Sequence, residues 1–184
     1  LNWLSFTIAA WVCLGLELGL RATLQLGPNA IAPSFVVALL IFVSLHASHR
    51  SVTWAAIILG VLVDLTGSIE LVPRETAVIV GPHAIGFLIA AQLVLAMRGM
   101  VVSRNPLSMG VLSLFAAAIS QIVVVAFLTY HKVIRDPIVW NASERLVDGL
   151  ASAVYTGVVA VLLALLLIPV TPFFGFTTAR RFGH

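Results

Sequence analysis

NPLSMGVLSLFAAAISQIVVVAFLTYH, residues 105–131, runs for 27 positions without an Asp, Glu, Lys or Arg. A helix rises 1.5 Å per residue, so about 20 apolar residues cross the ~30 Å hydrocarbon core of a bilayer. The stretch is rich in Leu, Val, Ile and Ala and shows no period-two alternation, which favours a helix over a barrel strand. Three more charge-free runs extend from Ala22 to His49, from Thr76 to Met97 and from Gly149 to Ala179. Only helices and closed barrels satisfy their backbone hydrogen bonds in lipid. The chain therefore reads as a helical membrane protein.

Composition agrees. Of 184 residues, 61% are hydrophobic and 9% charged, with mean hydropathy +1.13. A soluble domain carries about 25% charged residues. Ten Lys and Arg with seven Asp and Glu are too few to keep such a chain in water, which excludes a soluble enzyme. The pI near 9.8 reflects a net charge of only +3, too little for a phosphate-binding surface. No nucleic-acid partner is expected, and membrane lipids are the surroundings.

Working outward, we place six spans at 2–20, 32–47, 52–69, 83–99, 107–130 and 149–170, in one transmembrane domain covering 1–184. The first has no basic start or small-residue cleavage site and contains Glu17, so it reads as a span rather than a signal peptide. The chain starts at Leu1 rather than Met, which fits residues missing upstream. Gly27-Pro28 and Pro33 close the first loop, Asn105-Pro106 opens the fifth span, and Pro169 with Pro172 stops the last. Loop 70–82 carries Glu70, Pro73, Arg74 and Glu75 and is expected to dip beside the membrane. Loop 131–148 mixes both charges with Trp140, as an interfacial segment does.

Six spans put both termini and loops 48–51 and 100–106 on one side. That side holds Arg50, Arg98, Arg104, Arg180 and Arg181; the other holds Arg21, Arg74, Lys132, Arg135 and Arg145. The tie is broken by loop brevity, because the positive-inside rule works best for short loops. Both termini are expected in the cytoplasm.

Asp64 ends the run Trp54-Ala-Ala-Ile-Ile-Leu-Gly-Val-Leu-Val-Asp64. A carboxylate at the centre of a spanning helix costs about 2.5–3.5 kcal/mol, so it should face protein or water. It either relays protons or ions, contacts a partner span, or bonds to Thr66, Ser68 or the loop backbone after it. Glu17 lies between Gly15 and Gly19, a GxxxG pair that admits a close helix. It can pair with Arg21 one turn on, or form a polar seam against a partner. Gly149, Ala153 and Gly157 repeat the small-residue spacing in the last span, with internal packing ahead of an external contact. His83 follows Gly81-Pro82 at a helix start and is expected to cap or pack there.

No catalytic constellation accompanies these residues. Ser120 has no base at helical spacing, the acids are scattered, and Glu144-Arg145-Asp148 reads as a paired helix start. Lone Cys13 forms no disulfide or zinc site, and His46 with His49 has no third ligand. The match of Asn141-Ala-Ser143 to the glycosylation pattern carries no weight. No enzyme, cofactor or metal is expected.

The stretch from Pro33 through Arg104 resembles the MreD family, small polytopic rod shape-determining proteins of bacterial wall elongation. Pro33 precedes an apolar span ending in the basic turn His46-Ala-Ser-His-Arg50. The next span ends Gly60-Val-Leu-Val-Asp64-Leu-Thr-Gly67-Ser, like the family's G-x-x-x-D segment. Gly81-Pro-His83-Ala-Ile-Gly86-Phe resembles the start of its fourth span, and Arg98 and Arg104 bracket the following loop. Residues 69–80 are longer and more charged than the family's tight turn.

The resemblance implies a six-span, all-α inner-membrane bundle with no activity of its own. It implies binding to the single-span MreC protein, and directly or through it to MreB, the glycan polymerase and the transpeptidase. The family's fold is similar to the substrate-binding subunits of energy-coupling-factor vitamin transporters. That similarity supplies a rival expectation, a ligand-capturing subunit whose pocket draws on Asp64, His83, Gln92, Ser120 and Gln121. Of these, Asp64 and His83 are expected to lie together.

Overall fold

The computed structural model describes residues 1–27, 31–67, 69–71, 75–101, 105–134 and 141–176. Pro28, Ser68, Pro73, Arg74, Arg104, Arg135, Trp140, Arg180 and Arg181 lie outside the described residues. Six α-helices account for most of the rest: α1 (Trp3–Leu24), α2 (Phe35–His46), α3 (His49–Thr66), α4 (Pro82–Met97), α5 (Pro106–Ile134) and α6 (Ala142–Val170). Between α3 and α4, β1 (Ile69–Leu71) pairs antiparallel with β2 (Glu75–Ala77). A small hairpin thus stands where a loop beside the membrane was expected.

Five helices are long and apolar enough to cross a membrane, so the chain is a helical membrane bundle. The exception is α2, whose twelve residues reach only about 18 Å. The run expected to span from 32 to 47 is helical over Phe35–His46, twelve of its sixteen positions. In compensation α6 begins at Ala142, seven residues before the expected start, and carries its charged first turns as helix.

The shortness of α2 goes with its position. Every residue from Val36 to Leu45 is at most 4% exposed, and α2 contacts all five other helices. A helix apolar on every side belongs in a core. The remaining helices surround it, with α5 packed most extensively on α6, then α3 on α4 and α4 on α5. Their outer faces expose Trp11, Ile89, Phe115, Val158 and Leu166, apolar side chains suited to lipid.

Close helix approaches rest on glycine. A Cβ on Gly60 would collide with the backbone of Ala84 in α4, and one on Gly86 would reach Ser120 Oγ in α5 at 2.7 Å. Gly110 and Gly157 face each other across α5 and α6, each blocked by the other's carbonyl, at 2.9 and 3.1 Å. Backbones this close gain dispersion contacts that lipid does not replace.

The two described ends of the chain meet. Asn2 N donates to Phe174 O at 2.7 Å, and Phe174 and Phe176 pack on Phe42 near the C-terminus of α2. Arg98 Nη1, just after α4, donates to Ala47 O at 2.6 Å. The start of α1, the ends of α2, α4 and α6 and the start of α3 therefore share one side of the bundle, as the span order predicts.

Candidate functional site

At the opposite side, Asp64 lies in the last turn of α3. Its own helix dipole opposes a negative charge there, whereas a helix N-terminus welcomes one. The start of α4 supplies that partner. Asp64 Oδ2 accepts from Gly81 N at 2.8 Å and Ala84 N at 3.4 Å, while Oδ1 accepts from His83 N at 3.1 Å. His83 Nδ1 lies 2.7 Å from Oδ1 and donates to the ionised carboxylate. Gly81 has φ +131°, a region costly for any residue with a Cβ, and Pro82 follows it. The turn thus directs three backbone N–H groups at one buried side chain.

Asp64 is 4% exposed, and its carboxylate is engaged by residues 17 to 20 positions on, while Gly67 N reaches only its backbone carbonyl, at 3.3 Å. Of the expected partners, the backbone of the loop after α3 does bond the carboxylate, through Gly81 N at its far end, and Ser68 lies outside the described residues. A carboxylate one turn from a helix end can reach the next helix when Gly60 lets that helix come close.

Glu17 performs the same service for α2. Its Oε2 accepts from Ser34 Oγ at 3.0 Å and from Val36 N at 3.1 Å. Ser34 Oγ in turn accepts from Val37 N at 3.2 Å, and Ser34 N donates to Thr156 Oγ1 of α6 at 2.9 Å. Among the described residues Glu17 forms no ion pair with Arg21; the carboxylate turns to α2 instead. With Arg98 at its other end, α2 carries an acid at its positive pole and a base at its negative pole, both lent by neighbouring segments.

On that side of the bundle the non-helical residues Ala32, Pro33 and Ser34 precede α2. A cavity of about 320 Å³ remains, and Glu17, Asp64, His83, Ser120, Gln121 and Thr156 line it together. Arg21, Arg145 and Asp148 add charge to its wall, and Leu14, Val124 and Leu128 an apolar surface. Ser120 and Gln121 were not expected beside Asp64 and His83, but α5 brings them there. Gln92 is elsewhere, donating to Thr53 Oγ1 at 3.2 Å. Among the described residues no group of three His, Cys, Asp or Glu could hold a metal ion.

The small-residue stripes divide. Gly149 abuts the Gln121 side chain, Ala153 is 2% exposed, and Gly157 meets Leu114 and Gly110, all within the α5–α6 contact. Gly15 and Gly19 are exposed, and a Cβ on either would meet nothing within 4 Å. They flank Glu17 in sequence but look outward.

Ser34, Thr156 and Arg98 were not singled out as site residues from sequence. A Ser after Pro33 and before an apolar run is an N-cap signal that points to Ser34. Nothing local pointed to Thr156 or Arg98, whose partners are 122 and 51 residues away. In comparison with known proteins, the chain matches no family model, no curated protein and no solved structure.

Proposed function

We propose that the chain is a non-catalytic membrane scaffold of the MreD type, serving bacterial cell-wall elongation in the inner membrane. The observation that carries this reading is the Asp64 joint. The two segments that resemble the family, Gly60–Ser68 and Gly81–Phe87, are bound to each other through Asp64, Gly81, His83 and Ala84. Of the motif glycines, Gly60 lets α4 close on α3 at this joint, and Gly86 sits where α4 meets α5. Glu17 and Asp64 hold helix starts in place, which is structural work and not acid–base chemistry.

The topology follows the same reading. Four residues, 31–34, lead into α2 without helix and add about 13 Å at ~3.3 Å each. With the ~18 Å of α2 they make about 31 Å, one crossing of the hydrocarbon core. Six crossings leave both termini on one side, assigned to the cytoplasm. The partner is a single-span protein of the MreC type, docking on the outward face of α1 at Gly15 and Gly19, with MreB, the glycan polymerase and the transpeptidase reached directly or through it. Capture of the tagged chain from its native membranes tests this: a single-span coiled-coil protein and wall-synthesis enzymes are the expected companions.

A second reading, a ligand-capturing subunit of a vitamin-type transporter, is favoured by one observation, the polar-lined cavity. Recovery of an ATPase and a second membrane subunit in the same capture would replace the scaffold with it.

A further inference from the structure

We infer that the cavity is a binding site for a small uncharged amphipath, one whose polar edge both donates and accepts hydrogen bonds, such as a primary amide or a diol. The inference is independent of whether the chain is a scaffold or a transporter subunit, because it concerns groups that the fold leaves open.

Ser120 is the first of these groups. It is 2% exposed, lines the cavity, and its Oγ has no hydrogen-bond partner among the described residues. Buried hydroxyls are nearly always paired, and a helical Ser can pair with the carbonyl four residues back. Ser120 does neither. Gln121, its neighbour on α5, lines the same space and makes no hydrogen bond among the described residues. Glu17 spends only Oε2 on α2, leaving Oε1 as an acceptor. One hydroxyl, one amide and one carboxylate oxygen thus offer both donors and acceptors to the same volume.

Charge selects a neutral ligand. The carboxylates of Glu17 and Asp64 already face the positive ends of α2 and α4, and Asp64 is paired with His83. Arg21, Arg145 and Asp148 bring both signs of charge to the wall. A charged ligand would bring an uncompensated charge into this space, which is costly away from water. Size and shape agree. About 320 Å³ is at the lower end of small-molecule pockets, and Leu14, Val124 and Leu128, each at most 7% exposed, offer an apolar wall for the ligand's body.

The test uses the full chain in phosphatidylcholine nanodiscs, with saturation-transfer NMR and thermal unfolding as readouts. Nicotinamide, a primary amide, and 1-monobutyrin, a short acylglycerol diol, are the neutral probes; nicotinate and benzylammonium are charged controls of similar size. The expected result is binding of a neutral probe in preference to both controls. Ser120→Ala and Gln121→Leu should each weaken it about tenfold, equivalent to about 1.4 kcal/mol. Because Ser120→Ala removes an unpartnered hydroxyl, the empty variant should melt no lower than the parent, which separates loss of the site from loss of the fold. Binding of nicotinamide supports an amide ligand, and binding of 1-monobutyrin alone supports a diol such as an acylglycerol headgroup. Failure of both neutral probes, preference for a charged control, or unchanged affinity in both variants overturns the inference.

Discussion

Glu17, Asp64 and Arg98 show how a membrane chain with few charges uses them. Each compensates the end of a helix other than its own, where lipid offers no hydrogen bond and unpaired backbone groups are expensive. Replacing Asp64 by Ala frees Gly81 N and His83 N inside the bundle, so we expect a loss of about 1–3 kcal/mol in unfolding free energy. Asp64→Asn keeps one acceptor oxygen but turns an amide toward N–H donors, and should fall between Ala and the parent. For Glu17, Gln retains an oxygen for Ser34 Oγ and Val36 N, so Glu17→Ala should cost more than Glu17→Gln. Unfolding in detergent, followed by circular dichroism, ranks these variants. That Asp64 matters was legible from its place in an apolar span, and its neighbourhood with His83 from the Gly-Pro-His start. The partner of Glu17 was not, because Arg21 is the nearest opposite charge in sequence while α2 supplies the nearest orphan donors in space.

At the scale of elements, the glycines separate what packs inside from what looks outward. Gly157 lies against Leu114 and Gly110, so Gly157→Leu must push α5 and α6 apart, a cost of about 1–3 kcal/mol or more for overpacking. Gly15→Leu meets open space and should leave the melting temperature within experimental error. The same measurement on both variants therefore yields opposite outcomes from an identical substitution. Spacing alone could not distinguish the stripes, since small residues four apart mark any close helix face. Helix positions were more legible: the apolar runs locate all six helices to within a few residues at most ends. The differences are physical. At the start of α6 a charged turn extends the helix into Ala142, and at α2 the Glu17–Ser34 cap delays it to Phe35.

For the whole molecule, that start matters because the non-helical residues Ala32, Pro33 and Ser34 line the cavity. No reading of hydropathy predicts it, because residues 31–34 are as free of charge as the helix they precede. The six crossings proposed for the chain make their own prediction. Single cysteines placed in a Cys13→Ala background at positions 1 and 176 should react with a membrane-impermeant thiol reagent from the same side, and one at position 26 from the other. The central claim, a scaffold that presents α1 to a partner span, is tested most directly by photo-crosslinking in living cells. A photoreactive residue would replace Trp11 or Val12, exposed beside Gly15, with Val158 on the outer face of α6 as the control. The account predicts one crosslinked single-span protein from the α1 positions, lost when Gly15 and Gly19 are changed to Leu, and none from Val158. Crosslinks to lipid alone from α1, or the same protein captured equally from Val158, would contradict it.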